Sequence, residues 1–325
     1  MVYDNSTQIP RQELALVMVQ GRGFNQQNIW DKVLPSFALD KRTAHLISLN
    51  ISTGELLRIV DKVRAPGTNF ERITATFGDQ TITLLIRGEE AVVPDEVEAD
   101  FDGYFSTEAL MAQTAEDKLE LTQEYLTANA IFSTASFGSA INSAVAYTVA
   151  NLATISFIAD MYTMFEQVRS QGEQPNTIII PELVYQRIRQ CPLVTAFVRG
   201  ILMAQVTVNT NTIQEAFADE GITQVLVARS RYNAAATNAT PSITLIWSSA
   251  YIWVGRCGNK FADDEGGVET VEGVGCSPFW SSLGELQVYT YRQEPLMSNI
   301  VRAITSSIPY IANSNAGALL STQYA

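Results

Sequence analysis

Residues 106–132 read STEALMAQTAEDKLELTQEYLTANAIF, and the periodicity of this stretch decides the fold class. At about 100° per residue, Met111, Ala115, Leu119, Thr122, Leu126 and Ala130 share one face of a helix, with Glu116, Asp117, Glu120 and Glu124 opposite. The pattern predicts one long helix with one buried side. Ser106 is placed to cap its N-terminus, Glu108 sits in the first turn where the helix dipole favours a carboxylate, and neither Pro nor Gly interrupts before Gly138. At about 1.5 Å per residue such a helix runs roughly 40 Å. That is long for a compact enzyme domain, and a plate-like subunit is one use for it. A row of Glu on a helix is ordinarily a solvated face.

Outward from this helix, composition sets the bounds. A chain of 325 residues with 46% hydrophobic content can bury a large core in one domain or two subdomains. Lys and Arg number 21 against 34 Asp and Glu, and the net charge of −13 opposes a surface built to grip nucleic acid, which needs clustered cations. The first twenty residues hold no basic region followed by an apolar run, and no later segment is apolar enough to span a membrane, so a cytoplasmic origin is expected. Cys191, Cys257 and Cys276 are widely spaced and outside any CxxC pattern, which predicts buried free thiols rather than a disulfide framework or a zinc site.

Before the helix, residues 1–35 suggest an arm with short helical pieces. Gly21-Arg22-Gly23 lacks the Lys-Ser/Thr of a phosphate loop and follows no strand. Strands are expected at 45–51, 55–63, 73–76 and 81–87, broken by Thr53-Gly54, by 65–69 and by Gly78-Asp79. The arm at 55–87 sets Arg58, Lys62, Arg64, Arg72 and Arg87 among β-branched residues with little apolar mass near its tip, so it either stands in solvent or lies on another molecule.

After the helix, 133–146 is small and polar, a loop, and a second helix is expected at 149–171, ending at Gly172. Residues 175–181, PNTIIIP, predict a short apolar strand, followed by a helix at 182–189. A helix at 211–220, a strand at 222–228 and a strand-rich stretch at 242–254 follow, then an acidic Gly-rich loop at 260–275 and strands at 286–291 and 298–307, with 309–320 closing the chain. The loop carboxylates, Asp263 and Asp264 among them, do not match the spacing of a calcium loop. The single histidine, His45, has no nucleophile motif around it, and the chain contains no GxSxG, HExxH or GxxxxGK. No catalytic, cofactor-binding or metal-ligating residue is nominated.

In this order of elements the chain resembles the major capsid protein of tailed bacteriophages, the Hong Kong 97 fold, over almost its whole length. The local pieces that carry the resemblance are PNTIII at 175–180 with Tyr185 after it, GITQVLVARSRYN at 221–233, and YRQEPLMSNIVRAI at 291–304 leading to NAGALL at 315–320. The resemblance implies an α+β fold with an N-terminal arm at 1–42 and the start of a peripheral domain at 43–54. An extended β-hairpin loop then spans 55–87, and the peripheral domain continues over 88–144 with a spine helix at 106–132. An axial domain follows at 145–285, and C-terminal strands at 286–325 return mainly to the peripheral domain.

The resemblance further implies a structural protein, not an enzyme. It would self-assemble into hexamers and pentamers of an icosahedral shell around phage double-stranded DNA, in the virion, after assembly in the host cytoplasm. It would do so without cofactor, metal, membrane or sequence-specific DNA binding. Portal protein, a separate scaffolding protein and a decoration or cement protein are the implied partners, since no long coiled-coil segment precedes the arm. Cross-linking through Lys62 does not carry over, because no partner or catalytic carboxylate is identified for it.

In such a shell Arg58, Lys62, Arg64 and Arg72 of one copy are expected to lie across Glu89, Glu90, Asp95, Glu96, Asp263 and Asp264 of the next. Glu116, Glu120 and Glu124 are expected to face the lumen, keeping the wall non-adhesive to DNA. An encapsulin-like compartment of the same fold, and an α+β hydrolase, are the alternatives.

Overall fold

The computed structural model describes residues 27–50, 76–101, 106–202, 207–236, 238–258, 260–261, 270–271 and 273–324. Its longest element is the α-helix Thr107–Ile131, capped as the sequence requires: the Ser106 hydroxyl accepts from the Ala109 amide at 3.2 Å, with Glu108 in the first turn. The buried stripe differs from the expected one. Ala115 and Leu119 belong to it, but Gln123, Glu124, Thr127, Ala128 and Ile131 continue it, while Met111, Thr122, Leu126 and Ala130 are only half-buried. The helix is covered by two different bodies along its length. Its middle packs Ala115 and Leu119 on Ala303 and Leu286, and its C-terminal end turns Ala128 and Ile131 toward Ile179, Trp247 and Trp253. Where it is held by hydrogen bonds, as at Gln123 donating to the Ser307 carbonyl at 2.9 Å, an apolar stripe cannot mark the buried side.

The body at the middle of the helix is an antiparallel sheet ordered Gln287–Gln293, Ser298–Thr305, Arg87–Pro94. Alternation along these strands turns Val93, Val301 and Ala303 inward, where they are buried, and leaves Val92, Tyr289 and Tyr291 on the outer face. The hairpin before it pairs Thr43–Asn50 with Thr76–Thr83, Thr43 opposite Thr83 and Asn50 opposite Thr76. Gly78-Asp79, expected to break two strands, lies inside this ladder opposite Ser48 and Ile47, and the chain breaks instead at 84–86. The expected strand at 55–63 and the tip of the arm lie outside the described residues.

The body at the C-terminal end of the helix holds a five-stranded sheet, in the order Ile141–Asn142, Gly317–Ser321, Tyr251–Gly255, Thr177–Pro181, Gln224–Ala228. Thr177–Pro181 is buried at every residue, parallel to Gln224–Ala228 and antiparallel to Tyr251–Gly255. A strand with neighbours on both edges and covered faces reads as a continuous apolar run. Asn176 prolongs its pairing, the side-chain amide accepting from Cys257 N at 2.8 Å and donating to Cys257 O at 2.9 Å. The strand's two faces are covered by different bodies. Ile178 and Ile180 face the helices Phe157–Ser170 and Glu182–Gln190 together, whereas Ile179 faces Trp247, Trp253 and the end of the long helix. Gly255 and Gly317, opposite one another in the ladder, make room for Trp253: a Cβ on either would stand 2.4 or 2.6 Å from the indole.

Other departures are local. The second helix starts at Phe157, not 149, after a turn of 3₁₀ helix at Val149–Asn151. Its start is pinned by Asp160, which accepts hydrogen bonds from Ser143, Tyr147 and Ser156 at 2.7, 2.9 and 2.9 Å. A helix at Pro192–Leu202 was not expected from the sequence, and Thr134–Phe137 forms one turn of helix within the expected loop. Of the C-terminal strands, Gln287–Gln293 and Ser298–Thr305 join the outer sheet, but Gly317–Ser321 runs in the five-stranded one. A third sheet sets Gly275–Trp280 between Ser36–Leu39 and Tyr310–Ile311. Cys191, Cys257 and Cys276 are buried free thiols, and burial pushes the Cys257 thiol up to about 12.

Candidate functional site

The carboxylates named as receivers of a neighbour's basic arm sit on the outer sheet and the short helix after it, Asp95–Phe101. Cross-strand register aligns Tyr289, Arg302 and Glu90 in one row and Tyr291, Ile300 and Val92 in the next. Arg302 donates to Glu90 at 2.6 Å and lies 4.8 Å from the centre of the Tyr291 ring, whose hydroxyl is 3.3 Å from the same carboxylate. Asp95 is gripped by both terminal nitrogens of Arg292, at 2.5 and 2.7 Å, and this hydrogen-bonded guanidinium holds its carboxyl below the usual value. Glu89 pairs with Lys118 of the long helix at 3.6 Å. Glu90 and Asp95 therefore already have arginine partners inside the subunit. Sequence spacing alone cannot see these pairs, because Arg292 and Arg302 lie about two hundred residues further along. Glu96 is exposed. Arg58, Lys62, Arg64, Arg72, Asp263 and Asp264 lie outside the described residues.

The same outer face exposes Val92, Tyr289 and Tyr291, and the turn joining its two C-terminal strands exposes Leu296 and Met297. Met297 takes the left-handed conformation, φ 46°, while its carbonyl accepts from Asp95 N at 3.1 Å.

On the long helix the three glutamates divide. Glu116 is half-buried. Glu120 is half-buried too, and burial, then repulsion from Asp117, Glu116 and Asp31, holds its carboxyl above the usual range. Glu124 is fully buried, which corrects its placement on a solvated or lumen-facing side. One of its oxygens accepts from the amides of Ile29 and Trp30 at 2.9 and 2.8 Å, the other from Ser230 Oγ at 3.0 Å and Trp247 Nε1 at 2.5 Å. The first pair are donors at the N-terminus of the short helix Trp30–Val33, whose own N-cap residue provides no side chain for them. Burial still outweighs the four donors and keeps the Glu124 pKa raised. A carboxylate four residues along a Glu row gives no sequence sign of this role; Trp247 and Ser230, which identify it, come over one hundred residues later.

His45 is exposed on the hairpin, its Nδ1 2.8 Å from Asp79 and 3.4 Å from the Thr81 hydroxyl. Among the described residues no three His, Cys, Asp or Glu side chains come together to hold a metal ion, and no helix is long and apolar enough to cross a membrane.

No family model matches the sequence, and no curated protein matches it. Solved structures do match. A phage-related protein from Bordetella bronchiseptica RB50 has a TM-score of 0.64 at 16% identity, with 92% of each chain covered. The capsid of cyanophage P-SCSP1u has a TM-score of 0.57 at 11% identity over 92% of this chain and 88% of that one. The virus-like particle from Pyrococcus furiosus has a TM-score of 0.51 at 13% identity over 92% and 94%. The chain has the Hong Kong 97-type fold.

Proposed function

We propose that the chain is the major capsid protein of a tailed-phage head, a structural protein whose copies assemble as hexamers and pentamers into an icosahedral shell around double-stranded DNA. The observation that carries this reading is the likeness to a phage capsid structure over 92% of the chain. The net charge of −13 agrees with a container that holds DNA without binding it. A portal protein, a separate scaffolding protein and a decoration protein are the partners such a shell calls for, the host cytoplasm is its place of assembly, and the virion its destination.

Negative-stain microscopy and sedimentation of the purified protein test the reading. Closed particles of uniform diameter are expected; a protein that stays monomeric with and without its scaffolding protein overturns it. A second reading, an encapsulin-like compartment, would share the fold; the Pyrococcus furiosus neighbour is a virus-like particle. Nuclease-protected DNA inside particles isolated from their native source supports the phage head, and enclosed protein without DNA supports the compartment.

A further inference from the structure

Between residues 30–36, the middle of the long helix and the chain at 305–307 lies a cavity of about 610 Å³. Its wall carries three carboxylates, Asp31, Glu120 and Glu285, together with the indole of Trp30, Gln123 and Ser307. None of the three carboxylates has an ion-pair partner among the described residues. The neighbouring Arg87 is committed to a wall residue's backbone, donating to the Ser307 carbonyl at 3.1 Å, where Gln123 Nε2 also donates, and makes no ion pair with the three carboxylates. Gln123 and Ser307 are 4% and 1% exposed, and Gln123 Oε1 and Ser307 Oγ have no hydrogen-bond partner among the described residues. Unpartnered polar atoms at that depth are uncommon in native folds, and here they leave acceptors beside the cavity without a donor.

The wall is thus rich in acceptors and lacks a positively charged donor. Its carboxylates do not converge closely enough for one metal ion. A guanidinium suits it better, with five donors in a planar fork, a span wide enough for separated acceptors, and a face that stacks on an indole; an ammonium on a long stem offers three donors.

We propose that this cavity receives one cationic side chain, arginine or lysine, from a neighbouring copy of the chain. The proposal rests on the shell reading above. A copy of this chain is the occupant that the charges select: residues 58–72 carry Arg58, Lys62, Arg64 and Arg72 against Asp61 and Glu71. The carboxylates on the outer sheet that would otherwise receive them are taken by Arg302 and Arg292 of their own subunit. The raised pKa of Glu120 agrees with a site still lacking its cation, since an arriving positive charge lowers it again.

The double variant Glu120→Gln, Glu285→Gln tests this in two measurements. In sedimentation at low salt its threshold concentration for shell formation rises several-fold, while the isolated subunit unfolds at no lower denaturant concentration than wild type. An unchanged threshold overturns the proposal, as does a raised threshold accompanied by a weakened subunit. In a density map of the wild-type shell, an Arg or Lys nitrogen from an adjacent copy stands within about 3 Å of the Glu120 or Glu285 carboxylate. A cavity holding only water, or a side chain of its own subunit, overturns it while leaving the shell reading intact. Failure of the wild-type protein to form any shell, with and without its scaffolding protein, overturns the shell reading itself, and this proposal with it.

Discussion

Glu124 accepts four hydrogen bonds from three separate parts of the chain, so its replacement is felt in all of them at once. In Glu124→Gln one oxygen becomes an NH₂ that meets donors instead of accepting from them, and a buried N–H left without its acceptor costs about 1–3 kcal/mol. A loss of that size in the free energy of subunit unfolding by urea is expected, with an intact fold at low denaturant; an unaltered midpoint shows that the carboxylate is dispensable. The pH dependence has a definite sign. Glu120 and Glu124 have folded pKa values raised above the ordinary 4.5, so the stability each contributes is full below that value and is lost as pH rises through the folded one. Asp95 runs the other way, contributing above 3.8 and losing as pH falls through its lowered value. Between pH 7 and about 5, acidification therefore stabilises the subunit through the two helix glutamates. In Glu120→Gln the gain between pH 7 and pH 5, read from urea midpoints, is smaller than in wild type; an equal gain shows that Glu120 is not burdened by its surroundings.

Among the elements, those whose burial is apolar were legible and those held by polar contacts were not. Ser106, the unbroken run to Phe132 and the leading Glu108 place the long helix to within a residue at each end. Its contact side was displaced because Gln123, Glu124 and Thr127 are buried through hydrogen-bonding and close packing rather than hydropathy. The triple isoleucine at 178–180 announces a central strand, and the structure puts it between two other strands. The hydroxyl cluster on Asp160 delays the start of the following helix by a turn or two in a way no periodicity shows. Ile179→Asp puts an unpaired carboxylate against Trp247 and Trp253, at a cost of several kcal/mol, comparable to the whole stability of a domain. Insoluble or unfolded protein is expected, judged by circular dichroism and size-exclusion chromatography; a soluble monomer with the native spectrum shows that the strand tolerates a charge and is not central.

At the scale of the whole molecule, the resemblance seen in the order of elements and the measured likeness to a phage-related protein and a phage capsid agree on the fold. The pairing of the outer carboxylates within the subunit was less legible. Which carboxylates remain free depends on Arg292 and Arg302, whose partners only the folded chain reveals. The arm at 55–87 is proposed to reach the neighbouring copy, and deletion of residues 63–71 is expected to leave a folded subunit that sediments only as small species. A full yield of normal-sized shells from the deletion ends that assignment. Neutralising Arg58, Arg64 and Arg72 together is expected to weaken assembly and flatten its dependence on salt, because exposed ion pairs are screened as ionic strength rises.

The long helix touches the outer sheet through Ala115 and Leu119 and the five-stranded sheet through Ala128 and Ile131. At about 1.5 Å per residue these anchor points stand roughly 24 Å apart along one unbroken rod. Mechanically it is a beam clamped at both supports, with Glu124 as a rivet between them. A load applied by a neighbour to the outer sheet is then not absorbed locally but delivered as a torque to the far one, and with it to whatever that sheet touches.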